Sequence, residues 1–218
     1  GVLRGVGRLG GGVVVWEVGA GGRGCFPCVG ECAWGGWGGR GWRCAGGGGG
    51  GVGGGGDRGG GNLAAGGGQG AREGGAPQPV LQLLYYPTLY GRQLFPSHQT
   101  YGSGYFLSRR SMEWYADQYI SAEQDWDDTR FAPGAHPDLS GLPPAVIITA
   151  ECDPLCDEGA AYAQALRQAG GQALYRCYPG ALHAFLNFYA FMPYGKSALT
   201  LGGRALRRAF RRQGQSTR

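Results

Sequence analysis

Val146-Ile147-Ile148-Thr149-Ala150-Glu151-Cys152-Asp153-Pro154-Leu155-Cys156-Asp157-Glu158-Gly159 decides the fold, read together with Tyr178-Pro179-Gly180-Ala181-Leu182-His183 downstream. An apolar run of strand length, Ala145 to Thr149, leads to an acid, Asp153. Asp157 to Ala169 then reads as a helix: Ala161, Ala165 and Leu166 share one face, acids open it and Gly170 ends it. Ala173 to Tyr178 reads as a second strand, and a turn after it presents a lone histidine, His183. Strand, helix and strand joined by short loops predict a parallel sheet covered by helices, an α/β architecture. Such sheets present functional groups just past the C-terminal ends of their strands. Asp153 occupies that kind of position.

An acid followed by a histidine calls for a nucleophile upstream, on a sharp strand-to-helix turn. Gly56-Asp57-Arg58-Gly59-Gly60-Gly61-Asn62-Leu63-Ala64-Ala65 has the glycines of such a turn, with Arg58 where a serine would stand. A guanidinium does not lose its proton in proteins and has no lone pair with which to attack an ester carbonyl. A flexible linker is the competing reading of Gly53 to Gly61. A phosphate-binding loop is disfavoured, because no Gly-Lys-Ser/Thr follows.

Other elements lie to either side. Val80 to Pro87 reads as a buried strand stopped by proline. Ser111 to Tyr119 reads as a short amphipathic helix with Ser111 as its N-cap. Leu199 to Arg212 reads as the last helix, and Val13 to Trp16 as a short β-run. Asn62 to Arg72 is a possible helix, but Gly66-Gly67-Gly68 would weaken it by about 1 kcal/mol per glycine relative to alanine.

Composition divides the chain. Of its 48 glycines, 35 fall in residues 1–75. Glycine buries no side chain and loses the most backbone entropy on folding, so residues 35–75 are expected to be weakly structured. From residue 76 onward the pattern is that of an ordinary globular protein. The net charge of +5 is placed unevenly, with Arg204, Arg207, Arg208, Arg211 and Arg212 clustered near the C-terminus. That cluster reads as the solvated face of a last helix rather than as a nucleic-acid or lipid contact.

Seven cysteines include a C-x-x-C at Cys25 and Cys28, with no second pair at zinc spacing. An odd count without a secretory leader favours reduced thiols in the cytoplasm. No apolar run reaches membrane-spanning length. His98 and His136 sit in loop-like segments and read as ordinary surface histidines.

Ser140-Gly141-Leu142-Pro143-Pro144-Ala145 through Gly159 resembles the hormone-sensitive-lipase-like branch of the α/β-hydrolases. So do Gly104-Tyr105-Phe106-Leu107-Ser108-Arg109-Arg110-Ser111-Met112-Glu113-Trp114 and Leu84-Tyr85-Tyr86-Pro87. Upstream, Phe26 to Trp34 resembles the family's F-P-A-A-V-E-D-A-W, Val13 to Glu17 its V-S-V-D-Y strand, and Gly56 to Ala65 its G-D-S-A-G-G-N-L-A-A. The departures share a direction: alanine and valine become glycine, aspartate becomes glutamate and serine becomes arginine, each reachable by one base changed to G. We read residues 1–75 as a degraded, glycine-rich part of the hydrolase domain and residues 76–218 as the rest of that domain. Resequencing the coding DNA tests this reading, and a clean read reproducing the glycines would sink it.

The resemblance implies a partial α/β-hydrolase fold, with a mostly parallel sheet flanked by helices and part of a cap between Tyr90 and Pro137. It implies a carboxylesterase or lipase that forms an acyl-enzyme on serine, with a small acyl ester as partner and no metal or organic cofactor. By the same resemblance Asp153 is the triad acid, His183 the general base, Arg58 the occupant of the nucleophile position and Gly59 an oxyanion-hole N–H. The family's H-G-G-G motif precedes the V-S-V-D-Y strand and is expected to be absent here, so the chain is expected to be impaired as an esterase. Two alternatives remain: a non-catalytic protein that binds a small ligand in the hydrolase pocket, and a Gly/Arg-rich RNA-binding protein.

Overall fold

The structure, a computed structural model, describes residues 3–9, 12–18 and 53–216. The Cys25–Cys28 pair, the block from Phe26 to Trp34 and most of the glycine run from Gly46 lie outside the described residues. Near the N-terminus, β1 (Leu3–Leu9) pairs antiparallel with β2 (Gly12–Val18) as a two-stranded sheet of its own. The run from Val13 is thus a strand.

The main sheet has four strands in the order β3-β4-β5-β6: β3 (Gly54–Asp57), β4 (Gln82–Tyr85), β5 (Ala145–Cys152) and β6 (Ala173–Leu182). All three pairings are parallel. Crossovers run through α1 (Gly59–Glu73) between β3 and β4, and through α4 (Cys156–Gln168) between β5 and β6. Residues 86–144 form a long insertion containing α2 (Pro96–Thr100) and α3 (Arg109–Asp117), and α5 (Pro193–Ser216) closes the chain. Among the described residues no helix is long and apolar enough to cross a membrane.

Alternation along the buried strands sorts the core onto two faces. Leu84 and Ile147 pack with Ala64, Ala65, Tyr162, Ala163 and Leu166 from α1 and α4. Leu83, Tyr85, Val146 and Ile148 face the other way, against Ala198, Leu201, Ala205 and Leu206 of α5. Gly159 allows α4 to lie close to β5, since a Cβ there would stand 2.4 Å from Thr149 Cγ2.

Several expectations are corrected. Residues 53–73, within the stretch expected to be weakly structured, form a strand and a helix of 15 residues. Tertiary ties outweigh the helix propensity of glycine here. Asn62 Nδ2 donates to the carbonyls of Thr88 (3.0 Å) and Phe131 (2.6 Å), and Gln69 Nε2 donates to that of Pro133 (2.6 Å). Ser108, not Ser111, caps α3, and its Oγ accepts from the Ser111 N–H at 3.1 Å. β6 continues past Tyr178 to Leu182, with an irregularity opposite Ala150 and Cys152. Pro179 falls inside that irregularity, between the paired positions Tyr178 and Leu182, and a bulge tolerates a missing N–H.

Candidate active site

Each strand of the main sheet delivers one residue to the same edge. Arg58 follows β3, Tyr86 follows β4, Asp153 follows β5 and His183 follows β6, each immediately past the strand's C-terminal end. Parallel alignment therefore gathers four side chains that are far apart in sequence.

Asp153 and His183 are in direct contact. His183 Nδ1 lies 2.6 Å from Asp153 Oδ2, and both residues are fully buried. Asp153 Oδ1 accepts the Leu155 N–H at 2.9 Å, which fixes the carboxylate in its loop. A carboxylate is an acceptor only, so the imidazole carries its proton on Nδ1 and donates it to Asp153. That tautomer leaves Nε2 with a free lone pair. Nε2 is buried and has no hydrogen-bond partner among the described residues.

Arg58 forms the turn between β3 and α1 with φ 47° and ψ −122°. A bulky residue at positive φ is strained and persists only where its surroundings enforce it. Here the Arg58 N–H donates to Tyr85 O at 3.1 Å, while Arg58 O accepts the Asn62 N–H at 3.1 Å and starts the helix. Gly61 keeps the turn tight, because a Cβ there would meet Pro87 Cβ at 2.8 Å. The guanidinium stacks over the Tyr115 ring at 4.9 Å, a contact contributed by α3 of the insertion. Gly59 opens α1, so its N–H is one of the first-turn amides that a helix leaves without a partner in its own ladder.

Asp57 joins these groups. Burial pushes its carboxyl above the ordinary aspartate range, and the charge of Arg58 opposes that shift. Tyr86 was not singled out from sequence, although it belongs to the Leu84–Pro87 block. It sits at φ 35°, its ring centroid is 4.8 Å from that of His183, and its buried hydroxyl has no hydrogen-bond partner among the described residues. Burial, with Asp57 and Asp153 nearby, holds the Tyr86 phenol well above its usual range.

His98 and Glu158 were also missed. His98 is buried, not a surface histidine, and its Nε2 meets Glu158 Oε1 at 3.0 Å. Glu158 Oε2 accepts the Leu89 N–H at 2.6 Å and the Tyr90 N–H at 3.1 Å. A glutamate in the first turn of a helix looks like a partner for the helix dipole, which hides a role of this kind. His136 is half-buried, with Nε2 2.8 Å from Glu73 Oε1. Among the described residues no group of three or more His, Cys, Asp or Glu side chains is arranged to hold a metal ion.

Comparison with known proteins agrees with this architecture. A family profile described as alpha/beta hydrolase fold matches residues 40–187. The ethyl acetate hydrolase of Pseudomonas putida is 38% identical over 135 residues, which cover 62% of this chain and 42% of that protein. The carboxylesterase NlhH of Mycobacterium tuberculosis is 39% identical over 145 residues, covering 65% of this chain and 45% of that protein. Among solved structures, the thermophilic carboxylesterase EstE1 from a metagenomic library superposes with a TM-score of 0.69 at 34% identity, covering 72% of this chain and 54% of that one. The chain thus spans less than half the length of these two curated relatives.

Proposed function

The chain belongs to the α/β-hydrolase family, in its hormone-sensitive-lipase-like branch, and from that premise we infer a carboxylic-ester hydrolase site that binds a small acyl ester without turning it over. One observation carries the reading. The buried Asp153–His183 pair leaves Nε2 without a partner among the described residues, at the same sheet edge as an elbow whose central residue is Arg58. In the serine-type reaction, the base Nε2 takes the nucleophile's proton as the hydroxyl oxygen attacks the ester carbonyl. Asp153 holds the imidazole in the required tautomer and stabilises the imidazolium that forms. The N–H of the residue after the nucleophile, here Gly59, stabilises the oxyanion. Arg58 supplies neither the oxygen nor a transferable proton, so the acyl-enzyme does not form. The substrate class comes from the family, whose relatives include an ethyl acetate hydrolase and carboxylesterases. Cysteine usage supports a cytoplasmic setting.

The test is hydrolysis of a fluorogenic short-chain ester, run beside binding of a non-hydrolysable ketone analogue followed by NMR line broadening. Background hydrolysis with saturable analogue binding is expected. Turnover that disappears in His183→Ala would keep the acid–histidine pair and overturn the role given to Arg58. Turnover that survives His183→Ala would overturn both assignments.

A further inference from the structure

Three cysteines lie near the C-terminal end of β5, outside the machinery described above. Cys152 ends β5, Cys156 begins α4, and Cys177 lies on β6 opposite Thr149. All three are free and half-buried. Cys156 Sγ stands 3.8 Å from Cys177 Sγ, and also 3.8 Å from Thr149 Oγ1 and from Tyr175 Oη, which contact each other at 2.8 Å. The close approach of α4 to β5 at Gly159, one turn further along, sets Cys156 over the strands.

We propose that Cys156 and Cys177 are a redox modification site, a dithiol that a hydroperoxide oxidises to an intramolecular disulfide. The two sulfurs are already in van der Waals contact. Bond formation at about 2.05 Å needs a shift of less than 2 Å, within reach of side-chain rotation and a small movement of the first turn of α4. The two thiols are also unequal. Hydrogen bonding with Cys156, and with Thr149 and Tyr175, holds the Cys177 thiol below the ordinary cysteine range. The same hydrogen bond and burial push the Cys156 thiol up. In this proposal Cys177 is the attacking thiol and Cys156 the resolving one.

The chemistry balances. The Cys177 thiolate attacks one oxygen of hydrogen peroxide and the O–O bond breaks. With one proton taken up, the products are a sulfenic acid and water. Cys156 Sγ then attacks the sulfenic sulfur, giving up its proton, and hydroxide leaves as the second water. Two thiols are oxidised and one peroxide is reduced. The cross-link falls on the segment that holds the acid: the Cys156 N–H donates to Asp153 O at 3.0 Å, and the Leu155 N–H donates to Asp153 Oδ1. It would tie this segment to β6, the strand that leads into His183.

Residue-resolved mass spectrometry of the full chain tests the proposal, because the sequence holds four further cysteines, Cys25, Cys28, Cys32 and Cys44. After stoichiometric hydrogen peroxide, alkylation and trypsin, peptides 131–167 and 177–196 should appear joined, two hydrogens lighter than their sum, and should separate on reduction. Fragmentation should place the link at Cys156. Cys152→Ser should leave the link intact, whereas Cys156→Ser and Cys177→Ser should each abolish it. Before oxidation, iodoacetamide at pH 7 should modify Cys177 at least ~10-fold faster than Cys156. A link through Cys152, over-oxidation of Cys177 without a link, or equal alkylation rates would overturn the assignment.

Discussion

Replacing Glu158 by alanine is expected to cost about 4 kcal/mol of stability, from the buried hydrogen-bond donors it leaves unsatisfied. The magnitude follows from what the side chain satisfies. Its carboxylate accepts the N–H groups of Leu89 and Tyr90 and faces His98 Nε2, and all four residues are buried. Truncation leaves three donors without partners in a place water does not reach, each at a cost of about 1–3 kcal/mol, partly relieved by relaxation. For a chain of this length that is a fall of about 10 °C in Tm, at roughly 2–4 °C per kcal/mol. Glu158→Gln separates hydrogen bonding from volume. Its amide oxygen can still accept both backbone N–H groups, but its amide nitrogen then faces His98 Nε2. Because His98 Nδ1 accepts the Phe95 N–H at 3.3 Å, neutral His98 carries its proton on Nε2 and meets a second donor. Gln should therefore cost about 1–2 kcal/mol, less than alanine. Urea denaturation of the three proteins measures both differences. An alanine variant within about 0.5 kcal/mol of the parent, or a glutamine variant as damaging as alanine, would refute the reasoning.

Glycines of α1 should respond to alanine with opposite signs. At Gly67 and Gly70 a Cβ meets nothing within 4 Å, and each substitution should stabilise by about 1 kcal/mol in urea titrations. Gly61→Ala should destabilise, since its Cβ would lie 2.8 Å from Pro87 Cβ. Asp57 predicts a pH dependence: burial raises its folded-state pKa, so the folded chain holds a proton that the unfolded chain releases. Its contribution is fully present below the ordinary aspartate value of about 4 and is lost as pH rises through the raised folded value. Asp57→Asn should remove this component and stabilise the chain at pH 7. A parent and a variant whose stability profiles run parallel from pH 3 to pH 7 would count against the buried, raised carboxyl.

What could be read from sequence depended on whether local pattern or distant packing set each feature. β5, α4 and the start of β6 carry their own signals, a continuous apolar run and then a helical period opened by acids, and the structure follows them closely. Asp153 was legible because it follows the apolar run of β5, and His183 from its turn and the family resemblance; the parallel sheet brings the two together. α1 was hard to read because its stability comes from Asn62 and Gln69 bonding to loops many residues away. His98 looks like a loop histidine in sequence, and only the seating of Phe95 to Thr100 against α4 buries it. Pro179-Gly180 looks like a strand end, yet the strand continues, and the Gly180 N–H donates to Glu151 Oε2 at 2.7 Å.

The contrast between the acid–histidine pair and the elbow follows from the same distinction. Asp153 and His183 sit where two well-patterned strands end, and their mutual hydrogen bond satisfies a buried charge that would otherwise be costly. That pair has a structural reason to persist whatever residue occupies position 58. The elbow's positive φ is a property of the β3–α1 turn, enforced by the backbone bonds of Arg58 to Tyr85 and Asn62 and by the close approach at Gly61. The turn therefore holds its shape with an arginine at its centre. Arg58 stacks on Tyr115, and His183 Nε2 is left without a partner among the described residues. On the function proposed above, a site held by such backbone constraints can lack a nucleophile and still bind the ester. For this reason binding and turnover have to be measured separately here.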